Sequence, residues 1–499
     1  MSTSLSTNGE AFAAPSRSAA GLSVIGWFTA GCAAAVLFHL RLIPRLELVV
    51  CAMTAITVAG ILSIKMTGLS LLPRLMVLLY SLPFSTTIGY LFIADYTCWP
   101  GQKIAEGYSQ DHDLMSLMLM VAIVGLLGLL TGIAAGAAWF RQGRGLSVIP
   151  RRGSIPHTAT LDGTIFLFLL AVAFILSWLA TPKETILVAA YASAESSQST
   201  AAGINLNSGC SIAYLILLLL FIDAERERVA SLARRFKMRA VLSVSGYILV
   251  VHQLLRGSRT AAGLIAALAV LYLTSPNLDL QWLRASLLQR RRLGKLLLPL
   301  VLLLSLFLCI AHLRHSLSVE RSLPSLAEVG DMLSNSFTRN TWTNSALTNL
   351  GLAVQITDEP PTYLHGQTYR DYVLSLPPGV LCKMIGYERP LESYRGPAWW
   401  YSGLAIGGVH LVVVPFKNFG IVGAFLILAL YGAFLSYCEI LNTTFLLWPR
   451  LLYGAVVSSS LHWFWYGDMY MVRGVMAAML LAIFYNFTAK ERQMPFSAA

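Results

Sequence analysis

Long apolar runs, separated by short polar segments, recur along most of the chain. An α-helix needs about 20 apolar residues to cross the hydrocarbon core of a bilayer, and about 12 runs approach or exceed that length. They lie near residues 22–40, 46–64, 70–94, 114–140, 163–180, 208–223, 240–255, 260–275, 296–312, 404–437, 446–461 and 470–488. The pattern predicts an all-α, polytopic helical membrane protein with about 12 transmembrane helices.

The composition supports this prediction. The chain has 499 residues, of which 56% are hydrophobic and 12% are charged, whereas soluble domains carry about 25% charged residues. This composition excludes a soluble globular protein, and the high hydrophobicity excludes a disordered one. Basic cytoplasmic loops account for the net charge of +12, so we expect no nucleic acid among the partners.

Basic residues are concentrated in four polar segments. All four lie on one side of the membrane when the chain is passed through it 12 times, an arrangement that we call the predicted threading. They are 141–152, 226–239, 284–295 and 490–492. Lys and Arg accumulate in cytoplasmic loops, so the N- and C-termini are predicted to be cytoplasmic. Arg41 and Arg45, in the turn after the first run, fall on the opposite side and do not fit this rule.

The threading divides the chain into consecutive parts. Because residues 1–20 are polar, we expect an uncleaved first span. The parts are a cytoplasmic tail (1–21), transmembrane helices one to nine (22–312), a large periplasmic loop (313–403), a re-entrant segment with helices ten to twelve (404–489) and a cytoplasmic tail (490–499).

The run at 404–437 is too long for one simple span, and it contains Pro415, Lys417 and Asn418. We interpret 404–414 as a re-entrant or outer-leaflet segment and 420–438 as the span itself. Irregular backbone at membrane depth is stable only where it lies within protein or lines a watery cavity. This break is therefore a candidate site.

Two groups of cations are predicted to lie at the outer ends of spans. Arg256 and Arg259 flank a tight turn, where they either reach lipid headgroups or bind a phosphate or pyrophosphate beside the start of the next helix. Arg314 and His315 follow the end of a span. They form either an interfacial anchor or an anion clamp with a general base.

Further candidates lie in the large loop and after it. Arg370 and Arg395 either pair with neighbouring carboxylates or bind a glycan or phosphate, and Trp399 offers a ring on which a sugar can stack. His410 is either a core histidine or a base. Arg473, at the outer end of the last spans, forms either a buried ion pair or a contact with the acceptor.

We expect no metal and no other cofactor. Asp111-His112-Asp113 resembles a metal-binding acidic triplet, but acids at the start of a helix are the commoner explanation. The seven cysteines contain no CxxC pair, which argues against a zinc site. Cys98 and Cys382 fall in predicted outer loops, where a disulfide between them is one possibility.

Several short motifs follow one another between residues 250 and 440. They are Gly257-Ser258-Arg259 before the apolar stretch 261–273, the long outer loop, 369–377 (YRDYVLSLP), Gly407-Gly408 and 417–423 (KNFGIVG). In this order they resemble bacterial polysaccharide repeat-unit polymerases, the O-antigen and exopolysaccharide polymerases. The first 240 residues resemble the family only in hydropathy.

The resemblance implies a metal-independent glycosyltransferase in the bacterial inner membrane. Such an enzyme transfers a growing glycan from an undecaprenyl diphosphate carrier to a sugar hydroxyl of an incoming lipid-linked repeat unit, at the periplasmic face. The implied partners are undecaprenyl-diphosphate-linked oligosaccharides and the lipid bilayer, with a chain-length regulator and a flippase as further candidates.

We assign catalytic roles within this scheme. Arg256, Arg259 and Arg314 would bind the diphosphate, and Arg259 and Arg314 would stabilise the negative charge that develops on the leaving group. His410 is the candidate base and His315 is the reserve, because the acceptor hydroxyl must lose a proton.

The remaining candidates would bind substrate. Arg370 and Arg395 would contact the glycan or a second phosphate, with Trp399 and Arg473 as further contacts.

Two alternatives share some of these features. An O-antigen ligase has the same architecture and carrier but uses lipid A-core as the acceptor. A lipid-linked oligosaccharide transporter would carry charged residues at mid-span, whereas here the ionisable residues gather at the outer face.

Alanine at both Arg259 and Arg314 should abolish polymer formation in cells, because each well-placed donor contributes about 2.7–4 kcal/mol to transition-state stabilisation. Polymer length and yield, read on gels, are the measurement. Unchanged length and yield would contradict the assignment.

Overall fold

The structure is a computed structural model of the chain. It describes residues 17–42, 44–66, 69, 72–92, 111–143, 325, 327, 363–374, 384–387, 410–442, 451–457, 459, 471–472, 475–476, 478–481 and 483. The elements within this part are all helical. They are α1 (Arg17–His39), α2 (Leu46–Met66), α3 (Leu72–Ser81), a 3-10 helix (Leu82–Leu91), α4 (His112–Gly143), α5 (Gln367–Leu374) and α6 (Val413–Asn442).

Four stretches of the described helices are long and apolar enough to cross a membrane. They are Gly21–His39, Leu46–Ile64, His112–Phe140 and Val413–Asn442. These stretches coincide with four of the predicted runs, so the prediction of apolar helices long enough to span a membrane is confirmed for them. The other predicted spans and most of the large loop lie outside the described residues.

Within the predicted third run, 70–94, the described residues form two kinds of helix rather than one span. α3 ends at Ser81, and the chain continues as a 3-10 helix with Pro83 in its first turn. The side chain of Thr57 on α2 donates a hydrogen bond to Ser81 Oγ at 2.9 Å, which ties the junction to the neighbouring helix. A 3-10 stretch of this length is uncommon, and proline contributes to it because it has no N–H to continue the α-helical pattern.

α4 is the central helix of the described bundle. Every residue from 115 to 134 is buried, and the sequence of this stretch gives the helix no polar face. A helix that is apolar on all sides is expected to be enclosed by other elements. α6, α1 and α2 pack around it.

Glycines on α4 let α6 approach closely. A Cβ built on Gly128 would overlap the backbone of Phe425, and one on Gly132 would overlap the carbonyl oxygen of Ala429. Further along, a Cβ on Gly136 would lie 2.8 Å from Ser436 Cβ. Small residues at four-residue spacing are typical of tightly packed helices in membranes.

The side chain of Ser436 reinforces this contact. Its hydroxyl donates a hydrogen bond to Ile133 O at 2.8 Å. The same approach also makes Gly432 necessary, because a Cβ there would overlap the carbonyl oxygen of Leu129.

The contacts define the relative directions of the helices. Phe425, Ala429 and Ser436 of α6 lie against Gly128, Gly132 and Gly136 of α4, in the same order along both helices. The two helices are therefore parallel. α1 runs the other way, since Phe28 contacts Phe425 and Phe38 contacts Phe416, with ring centroids 5.8 and 6.0 Å apart. These directions are those that the predicted threading requires.

α6 is interrupted at Gly420, whose φ of 65° and ψ of −156° are not helical. We call residues 413–419 the half-helix. Pro415 was predicted to be part of the break, but it lies in the first turn of the half-helix, where a missing N–H costs no helical hydrogen bond. The interruption comes five residues later, at a residue that tolerates positive φ.

The half-helix forms one arm of a hairpin. Val412 lies against Gly125 of α4, and Phe425 lies against Gly128, about one turn away. The chain between Val412 and Phe425 therefore leaves this level of the bundle and returns to it. Of the predicted re-entrant segment 404–414, residues 404–409 lie outside the described part.

Valine at Gly132 should destabilise the protein, because its side chain would meet the backbone of α6, which cannot rotate away. Overpacking of this kind costs about 1–3 kcal/mol. Gly26→Val is the matched control, since Gly26 lies in an apolar helix and nothing lies within 4 Å of its Cβ position. Thermal unfolding of both purified variants in detergent is the measurement, and equal midpoints would contradict the close packing.

Candidate functional site

The end of the half-helix is capped by a distant part of the chain. The break at Gly420 deprives the last carbonyls of the half-helix of helical partners. Leu364 N–H donates to Lys417 O at 3.1 Å, and His365 N–H donates to Asn418 O at 3.0 Å. We call residues 363–374 the outer segment, because the predicted threading places it outside the membrane.

Asn418 binds the outer segment through its side chain as well. Its Nδ2 donates to Thr368 Oγ1 at 3.2 Å and to Val414 O at 2.8 Å, while its Oδ1 accepts from Thr368 N–H at 3.4 Å. The side chain is completely buried. A buried amide with donors and acceptors used in this way fixes the geometry of both segments.

Aromatic rings fill the remaining contact. The ring of Tyr363 covers Gly420, where a Cβ would come within 2.8 Å of it. The ring of Tyr369 stacks on Phe419, with centroids 6.1 Å apart and an angle of 5° between the planes. Phe419 also lies beside Gly366, whose φ is 85°. Both glycines are required here, by their positive φ as well as by the close rings.

Arg370 is brought to this site by α5. Its guanidinium bonds the carboxylate of Asp371, with Nη2 2.9 Å and Nε 3.0 Å from Oδ1. The Asp371 side chain is 2% exposed, whereas that of Arg370 is 65% exposed. The predicted alternative of a local ion pair is therefore present. The exposed guanidinium still has N–H groups that can reach an anion in solvent.

His410 lies in the core, next to α3. Its Nε2 is 3.1 Å from Tyr80 O, and its Nδ1 is 3.3 Å from the N–H of Val412. The ring meets Tyr80 and Phe84 edge to face, each at 4.8 Å. Val412 N–H requires an acceptor at Nδ1, so the ring is neutral with its proton on Nε2.

His410 contacts Tyr80 O close to the junction of α3 and the 3-10 helix, so its ring helps to hold that junction in the core. Its predicted role as a base stays a prediction, and that role would require the ring to release one of these two contacts.

The other predicted site residues lie outside the described part of the chain. They are Arg256, Arg259, Arg314, His315, Arg395, Trp399 and Arg473. The possible Cys98–Cys382 pair lies outside it too.

Asp111 begins α4. Its carboxylate accepts a hydrogen bond from Leu114 N–H at 2.9 Å, which is the usual contact of a helix N-cap. The ring of His112 packs against Tyr90, with centroids 5.9 Å apart. The interpretation of the acidic triplet as a helix start is confirmed.

Two residues that the sequence analysis did not single out as site residues have left-handed backbones. His365 has a φ of 46° and Arg41 a φ of 53°, a conformation that costs a non-glycine residue about 1–2 kcal/mol. Both side chains are exposed. The His365 ring makes no hydrogen bond to any residue that the structure describes.

A sequence signal existed for each of these residues. His365 precedes a glycine in a segment rich in turn formers, and Arg41 was already an exception to the distribution of basic residues. Arg41 also acts on the outer segment. Burial raises the pKa of Tyr363, and the Arg41 guanidinium opposes that rise, so the charge and the phenol are near neighbours.

Comparison with known proteins returned no match to a family model, to a curated protein or to a solved structure. The arguments about the site therefore rest on the residues of this chain.

Replacing Asn418 by Ala should destabilise the protein by about 1–3 kcal/mol, because Thr368 N–H and Val414 O would lose a buried partner. Thr368→Val removes the hydroxyl contact with little change of shape. A double-mutant cycle of these two changes should give a coupling energy of about 0.5–3 kcal/mol. Denaturant unfolding of the four proteins is the measurement, and additive effects would contradict a shared contact.

Proposed function

We propose that this chain is an integral membrane glycosyltransferase that polymerises undecaprenyl-diphosphate-linked oligosaccharide repeat units at the periplasmic face of the inner membrane. One observation carries the proposal. Two of the motifs that resemble the polymerases, 369–377 and 417–423, are distant in sequence, yet Tyr369 stacks on Phe419, and Thr368, next to the first motif, bonds Asn418. A functional surface assembled from separated motifs is what such an enzyme needs.

The reaction is a displacement at an anomeric carbon. The acceptor hydroxyl oxygen forms a bond to that carbon, the bond from the carbon to the diphosphate oxygen breaks, and the diphosphate leaves with the electron pair. Negative charge therefore grows on the leaving group, and fixed cations stabilise it. Arg370 is exposed on α5 and suits this role. Arg256, Arg259 and Arg314 remain the proposed principal contacts.

The acceptor hydroxyl must also transfer its proton. His365 is better placed for this than His410, because its ring is exposed and the two bonds to the half-helix fix its backbone. Histidine is the side chain that most often acts as a general base in enzymes. The strained φ of His365 supports the assignment, since such strain concentrates at functional sites.

The broken helix also occurs in transporters, where freed backbone groups coordinate ions near the bilayer midplane. Here the freed carbonyls of Lys417 and Asn418 already accept N–H groups of the outer segment. Because each of these carbonyls already binds a donor of the protein, the arrangement favours a site formed on the outer segment over an ion site at the helix break.

The purified protein, supplied with lipid-linked repeat units, should form longer lipid-linked chains without added metal. Arg370→Gln should slow elongation about 10²- to 10³-fold, the usual effect of removing one charge-stabilising donor, while keeping a hydrogen-bond donor for Asp371. His365→Asn should slow it about 10²- to 10⁴-fold, and asparagine tolerates the left-handed backbone.

His112→Asn is the matched control, because His112 is exposed at the start of α4 and has no proposed role. Elongation by the control should equal that of the wild type. Absence of elongation by the wild-type protein would contradict the proposed function, and inhibition by a chelator would contradict metal independence.

Deletion in cells separates the polymerase from its alternatives. A strain without the protein should accumulate carriers that bear single repeat units on the periplasmic face. Long chains left on the carrier would indicate a ligase, and single units retained on the cytoplasmic face would indicate a transporter.

A further inference from the structure

The turn between α1 and α2 contains an arginine in a position that usually holds glycine. Leu42 N–H donates to Leu37 O at 3.0 Å, and Arg41 N–H donates to Phe38 O at 3.1 Å. This pair of bonds is the Schellman motif, in which the residue after the helix cap is left-handed and most often glycine. Arg41 takes that place, with a φ of 53°.

Two independent rules disfavour an arginine here. The left-handed backbone is strained for any residue with a Cβ, and basic residues are depleted in loops on the outer side of a membrane protein. Sequences that depart from such rules tend to do so at functional sites. We therefore expect the side chain of Arg41 to have a functional role.

The residues around Arg41 indicate what that functional role is. Phe38, three residues earlier, packs edge to face on Phe416 of the half-helix. The carbonyl of Lys417, the next residue, accepts the N–H of Leu364, which follows Tyr363 in the outer segment. The turn therefore lies beside the candidate site, and the Arg41 side chain is exposed there.

We propose that Arg41 binds a lipid-borne phosphate at the outer rim of the bundle, next to the outer segment. A guanidinium binds phosphate oxygens with two parallel N–H groups, and the end of an apolar helix is the depth at which lipid phosphates lie. The phosphate belongs either to the diphosphate of a polyprenyl carrier, which rests on the proposed function, or to a glycerophospholipid headgroup.

Arg41→Gly provides the test, because a structural and a functional arginine respond in opposite ways. Glycine relieves the backbone strain, so the thermal midpoint of the full-length protein should be unchanged or higher. Affinity for lipid phosphate should nevertheless fall roughly 10- to 100-fold, the usual effect of losing a hydrogen bond to a charged group.

Binding is measured in a neutral detergent with two separate probes, undecaprenyl diphosphate and phosphatidylglycerol. A loss confined to undecaprenyl diphosphate supports the proposal and assigns the site to the carrier. An equal loss for both probes supports it and assigns the site to any lipid phosphate. Arg45→Gln is the matched control, an exposed arginine of the same turn that should bind both probes like the wild type.

Unchanged affinity of Arg41→Gly for both probes would overturn the proposal, as would an equal loss in Arg45→Gln. These outcomes are distinct from failure of the proposed function. Elongation by the wild-type protein reports on the proposed function alone, whereas the binding assay needs no turnover.

Discussion

The capping of the half-helix by the outer segment is the contact on which the described site depends. A helix that stops at Gly420 leaves carbonyl oxygens without helical partners, and buried carbonyl groups must find donors elsewhere. Leu364 and His365 supply the two N–H groups, and Asn418 with Thr368 closes the same contact through side chains. Because buried polar groups must be paired, these bonds fix the outer segment against the end of the half-helix.

The glycine contact between α4 and α6 holds the capped break in place. Lipid tails are as apolar as the helices, so close packing rather than expulsion of water attaches one helix to the other. Gly132 and Gly432 allow the two backbones to touch, and Ser436 adds a hydrogen bond to Ile133 O. The hairpin, whose turn lies at Gly420, is therefore attached to a rigid pair of helices, and a precisely arranged site requires such support.

Three exposed ionisable side chains give this surface its chemical character. Arg370 bonds a buried carboxylate, His365 has a left-handed backbone, and Arg41 occupies a turn position where glycine is usual. His365 and Arg41 have strained backbones, and all three residues lie on or beside the outer segment. His410 differs from these three residues, since its buried ring contacts Tyr80 O at the end of α3 and serves the fold.

The sequence determined where the long helices of the described chain lie, because hydrophobic runs such as 46–64 and 114–140 have no other stable form in a membrane. It also located the interruption of 404–437 to within a few residues, since Pro415 and Gly420 are local signals. Only the tertiary structure decided that residues 363–368 cap that interruption, that His410 faces Tyr80 and that Arg41 lies by Tyr363. These contacts join segments up to 330 residues apart, and local propensity carries no information about which distant donor will meet an unpaired carbonyl.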